Sequence, residues 1–228
     1  MKPITVVSVL FTVFLVALVV PVHASISVTS TVSSSIYVVY NFQNLNSTVY
    51  NEIKANYQFN ISTTISTAIV QNLEAQGQTQ AQSSLGPETG EFDDAAKSIS
   101  ADFYIRGSDI ISSATNRTST GTTYQVETAW RKFQLNLAPG FSLNFTQLLS
   151  QPVAEWQKPN EITFLYEGQG VLFKFVLPEG ATQVSAQGDI ITYELQPNSW
   201  DVFINSPFLI LAVLIIVVII ALIYRKIR

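Results

Sequence analysis

Two uncharged apolar runs, one near each end of the chain, flank a long polar middle. They cover residues 4–20 and 207–223. An exported chain with one membrane crossing has this arrangement, because the first run suits a secretory signal and the second suits a transmembrane helix. The pattern predicts that the middle of the chain folds outside the membrane, as an extracellular domain.

The first apolar run has the features of a cleavable signal sequence. Lys2 supplies a positive charge before it, and Pro21 ends it. Val22 and Ala24 are small enough for the −3 and −1 positions of a cleavage site, so residues 1–24 are predicted to be a signal peptide. The alternative is an uncleaved anchor, because the 17 apolar residues nearly span a bilayer.

The second run is predicted to cross the membrane as a helix over residues 207–224. At about 1.5 Å per residue this helix is about 27 Å long, close to the hydrocarbon thickness of about 30 Å. Residues 225–228 contain three basic side chains, which places this tail in the cytoplasm under the positive-inside rule. The lipid bilayer is therefore the first expected partner. The basic end argues against a removable lipid-anchor signal, because such signals end in the hydrophobic tail itself.

Composition excludes several kinds of chemistry from the predicted extracellular domain. The chain has no Cys, and its one His and one Met are His23 and Met1, both inside the predicted signal peptide. We therefore do not expect catalysis by Ser–His–Asp or Cys–His groups, His- or thiolate-ligated metal sites, or redox thiols. The chain is predicted to hold no cofactor and no metal, and not to be an enzyme.

The charge of the middle segment argues against nucleic acid as a partner. All 16 acids but only eight of the 12 bases lie there, so its formal charge is −8, whereas phosphate contact needs clustered Lys and Arg. Charged residues make up 12% of the chain, about half of the ~25% typical of soluble domains. A surface with few charges changes little as carboxylates are protonated. In this respect the composition resembles that of surface proteins of acid-loving archaea.

Apolar periodicity predicts a mainly β fold, an antiparallel and sandwich-like domain, with a helical segment near its N-terminus. Residues 25–76 are predicted to hold strand-like sequence and then one helical stretch, with apolar residues at helical spacing from Val49 to Leu73. The first strand is expected either to pair within its own domain or to complete a neighbour's sheet. Residues 77–95 contain little to bury and are interpreted as a flexible polar and acidic loop.

Residues 96–200 are predicted to form the β-rich part of the domain. A short helix is expected over residues 143–150, which Pro152 would stop. Short alternating segments with Gly or Pro turns then predict a four-stranded meander that leads into the membrane helix. The four predicted strands cover residues 162–167, 170–177, 181–186 and 190–195.

Four Asn-x-Ser/Thr sequons are candidate glycosylation sites in an exported chain. Their asparagines are Asn46, Asn60, Asn116 and Asn144. Asn116 lies in a polar turn, whereas Asn46 and Asn60 lie near predicted helix ends. All four are predictions from the motif alone, because a chain this rich in Asn, Ser and Thr contains some sequons by chance.

Two groups of acids are candidates for chemistry. Glu88, Glu91, Asp93 and Asp94 cluster in sequence, and several carboxylate oxygens together suit Ca²⁺. Their spacing matches no EF-hand, so a solvated acidic loop is the preferred interpretation.

The second group consists of Glu155, Glu161 and Glu167, which lie near tryptophan and tyrosine residues. Glycoside hydrolysis needs only two carboxyl groups at the right separation, and aromatic rings often line sugar clefts. Three acids spaced six residues apart across a loop and a strand do not show that two carboxyl groups meet in the fold. Glycoside hydrolysis is therefore the remote interpretation.

These observations predict a non-catalytic, membrane-anchored extracellular protein with a structural or assembly role, as in a surface layer, a filament or a virion surface. The expected partners are other envelope or surface proteins, including copies of the same chain. The alternative function is a cell-surface binding module, such as an adhesin or an accessory subunit of a membrane complex. A carboxylate-dependent glycoside hydrolase is the third and most remote candidate function.

Overall fold

The computed structural model describes residues 25–88, 90–113, 121–148, 159–166 and 171–196. The predicted signal peptide (1–24), transmembrane helix (207–224) and tail (225–228) lie outside this part of the chain. Among the described residues, no helix combines the length and the apolar character that a membrane crossing requires.

The described part of the chain is mainly β, as the sequence predicted, with two α-helices near its N-terminal end. The helices are α1 (Ser47–Tyr57) and α2 (Ile61–Ala75), and a 3-10 turn covers Ala129–Arg131. The strands are, in chain order, β1 (Ser25–Val32), β2 (Ile36–Gln43), β3 (Gln82–Leu85), β4 (Glu91–Asp93), β5 (Ser98–Arg106), β6 (Ile111–Ser113), β7 (Thr122–Glu127), β8 (Gln134–Ala138), β9 (Phe141–Asn144), β10 (Glu161–Tyr166), β11 (Val171–Val176), β12 (Ala181–Gln187) and β13 (Ile190–Leu195).

The described strands form a large sheet, a smaller sheet and a separate hairpin. The large sheet has the order β10-β11-β1-β2-β5-β3, and β4 also pairs with β5. The smaller sheet has the order β12-β13-β7-β6, and β8 pairs with β9. Most neighbours are antiparallel, as expected, but β1 and β11 run parallel. This one pair departs from the antiparallel pattern, because two strands far apart in sequence need no tight hairpin and can align in either direction.

Strand β1 lies in the interior of the large sheet. Its residue Val28 is opposite Tyr40 of β2 on one side and Phe173 of β11 on the other. Both hydrogen-bonding edges of β1 are therefore used within the chain. This arrangement leaves no edge with which β1 could complete a neighbour's sheet.

One face of the large sheet is apolar and forms the core. Alternate residues of its strands point to this face, and they are fully or almost fully buried. Tyr40 is at the centre, with its ring 5.9 Å from that of Phe103 and 6.5 Å from that of Phe173. Residues of the smaller sheet, among them Val126 and Ile191, belong to the same buried cluster. This arrangement is consistent with the predicted sandwich-like class.

The predicted helical stretch is two helices, with a break at Gln58–Asn60. The backbone carbonyl of Lys54 accepts a hydrogen bond from the backbone N–H of Gln58, which ends α1. Asn60 has non-helical dihedral angles and precedes α2. The intervening Phe59 is 91% exposed. Helical spacing continues through the break, so the apolar pattern alone did not reveal it.

Strands β3 and β4 lie inside the segment that was predicted to be a loop over residues 77–95. Both pair with β5, which leaves β5 with partners on its two sides. The unpaired edge of β5 explains this difference, because backbone N–H and C=O groups need partners even where the neighbouring sequence has low strand propensity.

All four strands of the predicted meander are present, as β10 to β13, but they do not form one meander. The pair β10–β11 belongs to the large sheet and the pair β12–β13 to the smaller sheet. The short helix predicted over residues 143–150 is also wrong at its start, because Leu143 and Asn144 belong to β9. Leu143 is buried in the core and its neighbour Ser142 is exposed, and this alternation is the pattern of a strand.

Candidate functional site

The predicted acidic cluster lies on the outward face of the large sheet. Glu91 of β4 is opposite Ser100 of β5, and Asp93 is opposite Ser98. These residues, with Glu88 and Asn41, line a groove with a volume of about 370 Å³. The groove is therefore polar and acidic, and it lies above strands whose other face forms the core.

Two of the four acids in this cluster are engaged in local contacts. The Asp93 carboxylate accepts hydrogen bonds from the backbone N–H groups of Ala95 and Ala96, at 2.8 and 2.9 Å. Asp94 accepts from Lys54 Nζ at 2.7 Å and from the Tyr50 hydroxyl at 2.8 Å. Among the described residues, no three or more acid, His or Cys side chains are placed to hold a metal ion. The geometry therefore gives the calcium interpretation no support.

The contact between Asp94 and α1 shifts the pKa of Asp94 and the pKa of Tyr50. Hydrogen bonds from Lys54 and Tyr50 hold the pKa of Asp94 below its usual value. Burial, followed by the hydrogen bond to Asp94, raises the pKa of Tyr50 to about 12. The Asp94 shift follows from an ionised carboxylate that is stabilised by its donors, so this contact holds the acidic segment against α1.

Asp102 is a buried acid at one end of the same region. It belongs to β5 and is only 1% exposed, although the alternating pattern of β5 places it on the outward face. Its Oδ2 accepts from the Tyr37 hydroxyl at 2.9 Å and from the backbone N–H of Glu88 at 3.2 Å. Burial, and then this hydrogen bond, raise the pKa of Tyr37. The Oδ1 atom has no hydrogen-bond partner among the described residues.

A second polar cluster joins the β12–β13 turn to the 3-10 turn. The carboxylate of Asp189 lies 2.6 Å from Lys132 Nζ and 3.5 Å from Arg131 Nη2. Its backbone carbonyl accepts from the backbone N–H and from the hydroxyl of Thr128, both at 2.7 Å. Arg131 also donates from Nε to the Thr128 carbonyl at 3.0 Å. These contacts fix the position of a turn of the smaller sheet against the core.

Three further carboxylates also contact backbone groups or bases. Asp109 accepts from the backbone N–H of Gln80 at 3.0 Å. Glu127 accepts from the N–H groups of Thr128 and Ala129, at 2.8 and 2.7 Å. Glu161, one of the three acids considered for glycoside hydrolysis, is 8% exposed and lies 3.7 Å from Lys174 Nζ. Glu155 and Glu167 lie outside the described residues.

Three of the four predicted glycosylation sites lie in the described part of the chain, and Asn116 lies outside it. Asn46 caps α1, with its Oδ1 accepting from the N–H of Thr48 at 2.8 Å. Asn144 Oδ1 accepts from the Thr146 hydroxyl at 2.9 Å. In the Asn60 sequon, the Ser62 hydroxyl is buried and accepts from the N–H of Asp102 at 3.0 Å. The Asn-x-Ser/Thr motif alone could not distinguish these three structural environments.

A different groove, the hairpin groove, lies between the C-terminal end of α1 and the β8–β9 hairpin. It has a volume of about 620 Å³, and its lining includes Asn56, Tyr57, Asn136, Pro139, Phe141 and Ser142. The hairpin register places Asn136 opposite Ser142 on its exposed face. Among the residues that the structure describes, no charged side chain lines this groove. The sequence analysis missed it, because its walls come from segments about 80 residues apart.

Comparisons with protein-family models, with curated proteins and with solved structures find no match to this chain. The geometry of its own residues is therefore the basis for assigning a role.

Proposed function

We propose that this chain is a non-catalytic, membrane-anchored extracellular protein with a structural or assembly role. The observation that carries the proposal is the use of its carboxylates. Six of them bond to loops, turns or helix α1 and hold them in place. The six are Asp93, Asp94, Asp102, Asp109, Glu127 and Asp189. Acids engaged in this way serve the fold, and an assembly subunit needs a rigid and persistent domain more than a reactive site.

The location in this proposal comes from the sequence. The apolar runs over residues 4–20 and 207–223 favour export and a single anchor, and the basic residues 225–228 favour a cytoplasmic C-terminus. Under this proposal the described domain stands on the outer side of the membrane, where it contacts envelope or surface proteins and copies of itself.

Purification of the tagged full chain from native membranes, followed by mass spectrometry and electron microscopy, tests the assembly role. A stable complex with surface proteins, or a regular array of this chain, is the expected result. A monomeric chain without partners that hydrolyses a glycan or a peptide would contradict the proposal, especially if one carboxylate substitution abolished the hydrolysis.

The second candidate function is a cell-surface binding module, and the hairpin groove favours it. This groove is concave and brings amide, hydroxyl and aromatic groups of two separate segments together. Its volume of about 620 Å³ falls within the range of about 300–1,000 Å³ that small-molecule sites occupy. A role in assembly and a role in binding are compatible, because a surface subunit can recognise a ligand on its neighbour.

A further inference from the structure

We propose that the hairpin groove binds a neutral saccharide. This inference rests on the binding function proposed above, and it names the chemical class of the ligand. Asn56 and Asn136 each offer both donor and acceptor groups, and so does the hydroxyl of Ser142. Sugar hydroxyls also donate and accept. Because none of the described residues that line the groove is charged, a neutral polyol fits it better than an ionic ligand.

Two rings add the apolar surface that a saccharide needs. Tyr57 and Phe141 both line the groove, and both also pack against the hydrophobic core. The ring of Phe141 lies 6.1 Å from that of Phe42 in an edge-on contact. Rings held in this way provide a fixed surface for the C–H faces of a sugar, and fixed contact surfaces reduce the entropic cost of binding.

The polar side chains of the groove are not engaged with other described residues. No hydrogen bond to the described part of the chain is made by the side chains of Asn56, Tyr57, Asn136 or Ser142, in contrast to the carboxylates discussed above. Their hydrogen-bonding groups are therefore available to a ligand. Converging side chains that the fold does not use, beside rings that the fold holds in place, are the features of a binding site.

The saccharide has two sources that fit this position, a glycan of a partner and a glycan on Asn144 of the same chain. Asn144 lies two residues beyond Ser142 on β9, on the same face of the hairpin. Two residues of strand span about 7 Å. The first sugar of a glycan on Asn144 would therefore begin beside the hairpin groove.

The first experiment measures binding by the unglycosylated full chain in lipid nanodiscs, which avoids detergents with sugar headgroups. The probes are cellotriose, maltotriose and chitotriose, titrated by calorimetry. At least one is expected to bind, and the double variant Asn56→Ala/Asn136→Ala is expected to weaken binding by about tenfold or more, since each lost hydrogen bond costs about 1 kcal/mol. The matched control is Asn51→Ala/Gln125→Ala, which removes two exposed amides outside the groove and should leave binding unchanged.

Binding of no probe, or equal affinity in the groove variant and the wild type, would overturn the saccharide inference. The groove variant removes only exposed side chains, so its melting temperature should match that of the control. If no saccharide binds but partners co-purify with the wild-type chain and not with the groove variant, the proposed binding function stands and only the ligand class is wrong.

A second experiment separates the two sources, with protein purified from native membranes. If the glycan on Asn144 occupies the groove, the native wild type should bind the probe at least tenfold more weakly than the Asn144→Gln variant. If the ligand belongs to a partner, the two native proteins should bind equally. If the probe binds to neither native protein and not to the unglycosylated chain, both sources are rejected.

Discussion

The guanidinium carbon of Arg131 lies 4.0 Å from the centre of the Phe164 ring, inside the hydrophobic core. The Arg131 side chain is fully buried, and its Nη1 atom has no hydrogen-bond partner among the described residues. Burial lowers the pKa of Arg131 to about 10. Because this pKa is lower than in the unfolded chain, the charged side chain reduces the stability of the fold at neutral pH. The contact with the ring offsets only part of this cost.

We therefore expect Arg131→Met to be neutral or to stabilise the protein by about 1–4 kcal/mol, since a well-packed apolar side chain avoids the desolvation of a buried cation. Asp189 would keep its contact with Lys132 at 2.6 Å. Urea unfolding of the full chain measures the change. The matched variant Lys132→Met removes a partly exposed cation and should lower stability by about 0–1 kcal/mol. A loss of several kcal/mol in Arg131→Met would show that Arg131 is required for packing.

Gly86 and Asp102 are expected to be strongly coupled. A side chain at Gly86 would overlap the carboxylate of Asp102, so Gly86→Ala should destabilise the fold by displacing a buried acid from Tyr37. In an Asp102→Ala background this overlap is removed, and the same change at Gly86 should cost much less. We expect a coupling energy of about 1–3 kcal/mol from the double-mutant cycle. Additive effects of the two substitutions would contradict the close contact.

The contact between Lys54 and Asp94 predicts a specific pH dependence. The pKa of Asp94 is lowered in the folded state, so its contribution to stability is present above the unfolded pKa and is lost as the pH falls through the folded one. Asp94→Asn should therefore lower the melting temperature at pH 7. The difference from wild type should shrink when the pH falls well below 3.8, the ordinary pKa of this carboxyl group. In a Lys54→Met background the difference at pH 7 should be smaller. A difference that is constant with pH would exclude an ionic contact.

The three described sequons are expected to differ in occupancy. In the Asn60 sequon, the Ser62 hydroxyl is only 1% exposed and is used by β5, so a transferase acting on the folded chain cannot reach it. Asn46 and Asn144 have no such block. Glycopeptide mass spectrometry of native protein should therefore find higher occupancy at Asn46 and Asn144 than at Asn60. Equal occupancy at all three would indicate modification before folding.

Local pattern was enough to predict most strands but not how they pair. Strands β10 to β13 follow from alternation and from Gly or Pro at their turns, because these signals involve neighbours in sequence. The division of these strands between two sheets depends on contacts with residues much earlier in the chain. In the same way, β3 and β4 form from polar sequence because the backbone groups at the edge of β5 need hydrogen-bond partners.

The candidate site was less predictable than the fold. Asp102 lies on the outward face of β5 by the alternation of that strand, but residues 86–88 cover it, and no local sequence signal indicates this contact. The six acids that hold loops, turns or helix α1 also alter the expectation that a surface with few charges changes little as carboxylates are protonated. Few charges limit repulsion at low pH, yet protonation of these acids removes charged acceptors of hydrogen bonds.

The central position of β1 has a consequence for biosynthesis. During synthesis, β1 emerges before the rest of the domain, but its neighbour β11 starts only at Val171. Until then, one side of β1 has unpaired backbone groups, and such an edge invites association with other chains. The large sheet closes only when nearly all of the domain has been synthesised, so its folding is expected to be slow and largely post-translational. A chain that terminates before β11 should aggregate or be degraded, even though all the residues of both helices are present.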